Sequence, residues 1–253
     1  MKKLEFLILF FTLSTLGYSQ TLDSVYIGLN GGYTHSNISS ANDFGIKCDY
    51  KGGCLAGLYL GLKFKTRFSL ETDINFYQNG YTANHKELYF SATFAAKNSY
   101  FGYKNQYTQN YLKNAWLLGY SIGDKIEFAI QAGAYWAYLI NSKCDGTTFT
   151  IVDPLESANL KLPAGYHEIV EKGTVNKSEF TPFDIGFVGG VGLGYKLNNT
   201  FKFVFNARYN RGVIDSNKQI FFSNTIYTNS FSFSFGLKMK LQSGKSVLNK
   251  IGV

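Results

Sequence analysis

The feature that most limits how this chain can fold is an alternation of large apolar and small polar residues with period two. The clearest case lies near the end of the chain, where one row of side chains is Phe231, Phe233, Phe235, Leu237, Met239 and Leu241 and the other is Ser232, Ser234, Gly236, Lys238 and Lys240. Because successive side chains of a β-strand point to opposite faces, this pattern predicts a strand with one apolar and one polar face. The same alternation recurs at 25–33, 56–64, 68–77, 112–120, 126–140, 183–195 and 201–209. The sequence therefore predicts eight strands.

The connections between these strands alternate strictly between short and long. The short turns are Lys65–Arg67, Ser121–Lys125 and Asn198–Thr200, and the long segments lie near 35–53, 82–108, 142–180 and 211–225. Transmembrane barrels have tight periplasmic turns and long outer loops. The predicted fold class is all-β: an eight-stranded antiparallel transmembrane β-barrel with short periplasmic turns and long extracellular loops. The Tyr-rich segment from His85 to Tyr111 is interpreted as strand extensions above the membrane or, alternatively, as a loop that binds a partner or glycan.

The bulk of the two faces decides which one lines the barrel. The chain is 17% aromatic, with 23 Phe and 19 Tyr, and the apolar face carries Phe, Trp, Tyr, Leu and Ile from every strand. An eight-stranded barrel has room inside only for side chains that fill it, and this face is too bulky for that interior. The other face, which is Gly, Ser and Asn with scattered charges, fits. We therefore expect the large face to meet lipid, with a secreted soluble barrel or sandwich as the alternative.

The inward face carries charges of both signs. The candidates for ion pairs in the lumen are Glu71, Asp73, Glu127, Asp184, Lys113 and Arg208. Charges at this depth are costly unless they are paired or hydrated, so we predict an interlocked plug of ion pairs. Arg208 is expected to pair with Glu71 or Asp184, because a guanidinium fork matches a carboxylate. A proton or ion path is the functional alternative.

Both ends of the chain have features that divide it into regions. Lys2 and Lys3 precede an apolar run of roughly 13 residues, which is too short for a helix that spans a membrane. A cleavage pattern of small residues then places a signal-peptide cut between Ser19 and Gln20. The predicted organisation is a signal peptide at 1–19, an outer-membrane barrel domain at 20–241 and a periplasmic tail at 242–253. A buried N-terminal helix is the alternative for the first segment.

Export makes the three cysteines, Cys48, Cys54 and Cys144, disulfide candidates. Since three is an odd number, at least one stays reduced or pairs between chains, and Cys48 is expected to pair with Cys54 or with Cys144. The formal net charge of +8 suits an anionic membrane surface or acidic glycan, and export argues against nucleic acid as a partner.

Motifs for catalysis or cofactor binding are weak. The raw catalytic candidates are His35 with Ser36 and Asp43, and His167 with Glu168, but neither spacing is that of a known triad. The glycines between Gly186 and Gly194 lie within a strand pattern and indicate crowding inside a barrel rather than a nucleotide-binding loop. No cysteine or histidine spacing indicates a metal site. We therefore expect no enzyme activity, no cofactor and no metal.

Several stretches in order along the chain resemble the PorT-like outer-membrane β-barrel family of Bacteroidota. They are Gly28–Tyr33, Gly57–Gly61, Phe68–Glu71, Tyr111–Lys113, Phe183–Gly186, Ala207–Asn210 and Phe233–Lys238. The resemblance implies an integral outer-membrane protein at the cell surface, and a founding member of the family takes part in protein secretion. The expected role is structural or interactive, with outer-membrane lipid, lipopolysaccharide and proteins that bind the loops or tail as partners. A narrow conduit for ions or small solutes, a lipid-modifying enzyme and a soluble ligand-binding barrel are the alternatives.

Overall fold

A computed structural model describes residues 22–40, 47–65, 67–88, 100–152, 164–174, 180–215 and 226–243. These residues form nine β-strands: β1 (Leu22–Ser40), β2 (Lys47–Phe64), β3 (Phe68–Leu88), β4 (Tyr100–Ile122), β5 (Ile126–Val152), β6 (Gly165–Thr174), β7 (Phe183–Lys196), β8 (Phe201–Gly212) and β9 (Ile226–Ser243). No helix in the described ranges is long and apolar enough to cross a membrane. The predicted signal peptide, with its cut between Ser19 and Gln20, lies outside the described residues, as does the tail from residue 244 onward. Gln242 and Ser243, which were predicted to begin the tail, still belong to β9.

Eight of these strands close into an antiparallel ring in the order β1-β2-β3-β4-β5-β7-β8-β9. The ring is closed by β9, which pairs with β1 from Ser243 opposite Ser24 to Ile226 opposite Ser40. A closed ring leaves no unpaired strand edge along its wall, which is the condition that a lipid environment imposes on a sheet. The predicted all-β, eight-stranded antiparallel barrel is confirmed.

The strand β6 lies outside the ring and was not predicted. It pairs with the end of β5, from Gly165 opposite Val152 to Thr174 opposite Lys143. The sequence predicts one long loop at 142–180, and that prediction is wrong for residues 142–152 and 165–174. These residues are polar or mixed on both faces, so they carry no clear period-two signal, but backbone pairing with a neighbouring strand does not require one.

The other predicted long loops are also shorter than expected, because the strands continue into them. β1 and β2 leave only residues 41–46 between them, and β3 and β4 leave only residues 89–99. The interpretation of the Tyr-rich segment as strand extensions is confirmed for residues 85–88 and 100–111. The alternation between short and long connections nevertheless remains, because the three turns at the opposite end span only a few residues.

The short turns between strands lie at one end of the ring. The first residue of β1, Leu22, and the last residue of β9, Ser243, lie at the same end. The described residues of the turns are Lys65 and Arg67, 123–125 and 197–200. Gly123 has φ of 104°, a left-handed conformation that a residue without a Cβ adopts at little cost. The three short turns predicted from the sequence are confirmed, except that Ser121 and Ile122, which were predicted to begin the middle turn, still belong to β4. We call this end of the ring the short-turn end.

The outer face of the ring is apolar and exposed. Among its exposed large side chains are Leu29, Phe128, Ile130, Phe187 and Phe235, at 65–69%. All six predicted lumen residues instead lie inside the ring, where the Asp73 side chain is fully buried. The bulky face therefore points outward as predicted, and a soluble barrel with an apolar interior is contradicted.

Glycines on the inner face of β7 make room for larger side chains. A Cβ at Gly190 would lie 2.4 Å from the carbonyl oxygen of Ala207 and 2.7 Å from Cγ of Arg208. At Gly186 the neighbour on the inner side is the Tyr135 ring, 2.7 Å from the position of a Cβ. The interpretation of this glycine run as crowding inside a barrel is confirmed at both positions.

The strands differ in length, and the surplus lies on one side of the ring. β7 and β8 have 14 and 12 residues, whereas β3, β4 and β5 have 21, 23 and 27. A tilted strand crosses a membrane with about 9–11 residues, so the three long strands continue well past the apolar band. Together with β6 they form a four-stranded extension, which we call the projecting sheet and define as residues 79–88, 100–110, 141–152 and 165–174.

Candidate functional site

Inside the ring, a first group of charges lies near the short-turn end. The Glu127 carboxylate, on β5, accepts contacts from three ammonium groups. Its Oε1 lies 2.9 Å from Nζ of Lys63 and 3.1 Å from Nζ of Lys196, and its Oε2 lies 3.0 Å from Nζ of Lys202. Four strands, β2, β5, β7 and β8, are therefore tied together by one buried carboxylate. We call these four residues the lower tier.

A second group of charges crosses the middle of the lumen. Arg208 on β8 donates a hydrogen bond and forms an ion pair with Asp73 on β3. Lys238 on β9 lies 2.8 Å from Oε1 of Glu71. Gln131 links the two pairs, since it accepts a bond from Nε of Arg208 at 3.0 Å and donates one to Glu71 at 3.1 Å. We call these five residues the middle tier.

The middle tier corrects the predicted partner of Arg208. Arg208 was expected to pair with Glu71 or Asp184, but in the structure it pairs with Asp73. All three carboxylates face inward, so the alternation cannot distinguish them. Their levels inside the barrel depend on how far each strand is staggered against the next, which period-two patterns do not reveal.

Lys113 and Asp184 do not form a direct ion pair with each other. Nζ of Lys113 lies 4.2 Å and 4.0 Å from the ring centroids of Tyr77 and Tyr135, and it donates a 2.6 Å hydrogen bond to Asn210. Asp184 accepts hydrogen bonds from the Tyr135 hydroxyl at 3.0 Å and from Thr228 at 2.7 Å. Tyr135 thus stands between the two charges and contacts both.

The half of the lumen nearer the projecting sheet is filled by tyrosines and apolar side chains. The buried cluster there includes Leu55, Tyr77, Tyr111, Leu117, Tyr135, Leu139, Phe180 and Val188. In the period-two pattern of the sequence, Tyr77 and Tyr135 fall on the polar face, but no role was predicted for them. The signal that identifies them is their size, since a large aromatic on a face otherwise made of Gly, Ser and Asn has to fill space in the interior.

Two small cavities lie within the lumen. One, of about 40 Å³, is lined by residues of the lower and middle tiers, including Lys63, Glu127 and Lys202. The other, of about 20 Å³, is lined by Asp73, Arg208 and their neighbours. A cavity needs about 10–15 Å³ to hold one water molecule, so each has room for only a few. The described lumen is therefore packed with side chains and small cavities.

The projecting sheet carries stacked aromatic rings and an exposed margin. Tyr81 and Tyr107 stack with their ring centroids 4.8 Å apart. Burial raises the pKa of both hydroxyls, so the rings remain neutral. On β6, Tyr166, Ile169 and Val170 are 58–66% exposed. The base of this sheet is therefore aromatic and partly buried, whereas its last strand exposes apolar side chains to solvent.

The two predicted histidine sets are not assembled. His35 stacks on Tyr50 on the outer face, with ring centroids 4.7 Å apart, whereas its neighbour Ser36 points inward and donates a 3.0 Å hydrogen bond to the Gly80 carbonyl. Asp43 lies outside the described residues. On β6, Glu168 accepts a 3.2 Å hydrogen bond from Tyr166 on its own face of the strand. His167 therefore points to the opposite face.

The cysteines lie on two strands. Cys54 is a free, exposed thiol that lies opposite Tyr33 on the outer face, whereas Cys48 lies opposite the buried Ala83. Cys48 and Cys54 lie six residues apart on the same extended strand. At about 3.3 Å per residue, this separation far exceeds the roughly 7 Å that a disulfide allows between Cα atoms, so the two cannot bridge as the strand stands. Cys144 is buried on β5. A bridge between Cys48 and Cys144 stays a prediction.

Comparison with known sequences identifies the family. Residues 18–218 match the family described as the outer membrane protein beta-barrel domain. The chain belongs to this family. Its members are outer-membrane proteins, so this barrel is located in the outer membrane and its apolar outer face meets lipid. The short-turn end then faces the periplasm and the projecting sheet stands outside the cell, as in other outer-membrane barrels.

Comparison with solved structures finds several proteins that are similar to this chain at low sequence identity. Neisserial surface protein A is 11% identical, with a TM-score of 0.38, over 87% of this chain and 99% of that one. Ail, the attachment invasion locus protein of Yersinia pestis, is 12% identical, with a TM-score of 0.33, over 85% and 99%. The outer membrane protease OmpT of Escherichia coli is 11% identical, with a TM-score of 0.35, over 88% and 98%. No curated protein matches this chain.

Proposed function

We propose that this outer-membrane barrel has a structural or interaction role and binds a protein partner through its projecting sheet. The observation that carries the proposal is the edge strand β6. It pairs with β5 on one side, and within the described part of the chain no strand pairs with its other side. An exposed strand edge presents a row of backbone donors and acceptors, and an extended segment of another protein can add to it as a further strand.

The side chains of β6 favour the same use. Tyr166 and Val170 are exposed on one face and Ile169 on the other, so apolar side chains flank the edge on both sides. In strand addition, backbone hydrogen bonds supply affinity and side chains at alternate positions supply specificity. The packed lumen supports an external role as well, because the two tiers and the upper cluster fill the described interior.

The resemblance to PorT-like barrels of Bacteroidota indicates which kind of partner the projecting sheet would bind. A founding member of that family takes part in secretion of proteins to the cell surface, and the proposed partner is a component or cargo of such an assembly. The outer face contacts outer-membrane lipid and lipopolysaccharide, and the projecting sheet stands above their head groups. Neither histidine set described above carries a proposal of catalysis.

The test is crosslinking in intact cells followed by pull-down of a tagged copy from the outer membrane. Wild type is compared with Val170→Lys, which places a charge beside the edge, and with Val213→Lys as the matched control. Val213 is 47% exposed just beyond the end of β8, away from β6. We expect a stoichiometric partner with wild type and with Val213→Lys, and its loss with Val170→Lys. Recovery of a lone wild-type barrel, or a partner retained by Val170→Lys, contradicts the proposal.

A narrow conduit for ions or small solutes is the second candidate. The two polar cavities favour it, because they lie one after the other along the lumen, on successive levels of charged residues. Single-channel recording of the wild-type barrel separates the two candidates, because only a conduit gives stable conductance steps.

A further inference from the structure

The periplasmic entrance to the lumen holds more positive than negative charge. We call this region the periplasmic vestibule. It consists of the four lower-tier residues, Lys63, Glu127, Lys196 and Lys202, and the adjoining middle-tier pair of Glu71 and Lys238. Four ammonium groups face two carboxylates there. The side chains of Lys202 and Lys238 are only 12% and 7% exposed, so bulk water compensates their charge poorly.

The glutamates do not use the full donor capacity of these lysines. Glu127 receives one contact from each of three ammonium groups, at 2.9–3.1 Å. Each ammonium group carries three donor hydrogens, and one carboxylate neutralises one charge. The group therefore retains both hydrogen-bond donors and net positive charge next to the lumen.

A cavity of about 40 Å³ adjoins these lysines and has room for a small ligand beside their charge. Its wall includes Lys63, Lys202 and Lys238 together with the hydroxyl-bearing Ser69 and Ser121. The volume corresponds to about three water molecules or one small oxyanion. Ammonium groups and hydroxyls around a small polar cavity are the donors that bind phosphate and carboxylate groups in proteins.

We propose that the periplasmic vestibule binds a small oxyanion, a phosphate or carboxylate group, held by Lys63, Lys202 and Lys238 with Lys196 at its rim. The bound anion neutralises the excess charge of the vestibule and bridges strands β2, β8 and β9. This site is separate from the projecting sheet, on the opposite side of the membrane, and does not depend on the function proposed for that sheet.

Inorganic phosphate is the first probe, titrated by calorimetry into the purified, folded barrel in a non-ionic detergent. We expect saturable binding at one site per barrel. Lys63→Gln should raise the Kd at least about tenfold, because it removes a charge-assisted contact. The matched control is Lys143→Gln, an exposed lysine in the projecting sheet, and should leave the Kd unchanged.

Glu127→Gln should have the opposite effect to Lys63→Gln and strengthen the binding of phosphate. It removes a competing negative charge and adds to the excess of positive charge, so the Kd for phosphate should fall. The variant should also resist urea better in phosphate than in chloride at equal ionic strength. Each variant is first shown to be folded by its heat-modifiable migration on SDS gels. If Lys63→Gln does not fold, Lys196→Gln at the rim replaces it, with the same expected direction.

Parallel titrations identify the source of the anion. Phosphate alone indicates a free ion, glycerol phosphate with equal affinity indicates a lipid head group, and acetate indicates the carboxylate of a peptide, and each of these supports the site. Absence of saturable binding by all three anions overturns the proposal. An equal loss of binding in Lys63→Gln and Lys143→Gln also overturns it, because binding would then reflect only the overall charge.

Discussion

At the scale of single residues, the lumen is governed by the cost of burying charge. Asp73 and Arg208 lie on opposite sides of the ring, on β3 and β8, and neither reaches bulk solvent. Their mutual attraction offsets much of the cost of desolvating both groups, and Gln131 satisfies a further guanidinium donor. Removing one partner therefore leaves the other as an uncompensated charge in the interior.

We predict that Asp73→Asn lowers the free energy of unfolding by about 3–5 kcal/mol, the usual cost of breaking a buried ion pair from one side. The double variant Asp73→Asn/Arg208→Met should be less destabilised than either charge deletion alone. Urea titration of the barrel in lipid vesicles measures the free energy of unfolding of the single variants and of the double variant. Asp124→Asn, at an exposed turn position, is the matched control and should change stability by less than about 0.5 kcal/mol. Strictly additive losses in the double variant would contradict the pairing.

The inner glycines of β7 give a second prediction at this scale. Gly190→Ala places a methyl group against the Ala207 carbonyl and the Arg208 side chain, so we expect a loss of about 1–3 kcal/mol from overpacking. Gly189 is the adjacent control, since it faces outward and a Cβ there has its nearest neighbour at 3.9 Å. The same urea titration compares the two. Equal effects of Gly189→Ala and Gly190→Ala would show that the inner wall is not crowded there.

At the scale of strands, period-two alternation predicted the ring strands and the three short turns but not their full lengths. Alternation marks where one face meets lipid and the other the interior, so it ends where a strand leaves the membrane. The continuation of β5 to Val152 and the whole of β6 lie beyond that point, and backbone pairing alone defines them. Alternation also could not predict that Arg208 pairs with Asp73. That pairing depends on how far each strand is staggered against the next, which a period-two pattern does not show.

The ring and the projecting sheet should be separable. We predict that replacing residues 147–174 with a short Gly-Ser linker leaves a folded barrel, because the ladder between β5 and β7, from Ile126 opposite Tyr195 to Tyr138 opposite Phe183, is retained. Heat-modifiable migration on SDS gels measures folding. Deletion of β8 is the comparison and should abolish folding, because the ring could no longer close in its present register. A linker variant that fails to fold would mean that β6 is part of the structural unit.

At the scale of the whole molecule, each surface of the barrel meets a different environment. The apolar outer face meets lipid, the short turns and the positively charged vestibule face the periplasm, and the projecting sheet faces the exterior. Between the two aqueous sides stand the lower tier, the middle tier and the upper cluster of tyrosines and apolar residues. An eight-stranded ring is narrow enough for such side chains to fill it.

Side chains close the described lumen, and the proposed partner binds outside it, at the projecting sheet. The most direct test is single-channel recording in planar bilayers with wild-type protein whose folded state is verified in the same preparation. We predict no stable conductance steps across the voltage range, because the ion pairs and the upper cluster occupy the path. Stable, large conductance steps carried by the wild-type barrel would contradict a closed lumen and favour the conduit.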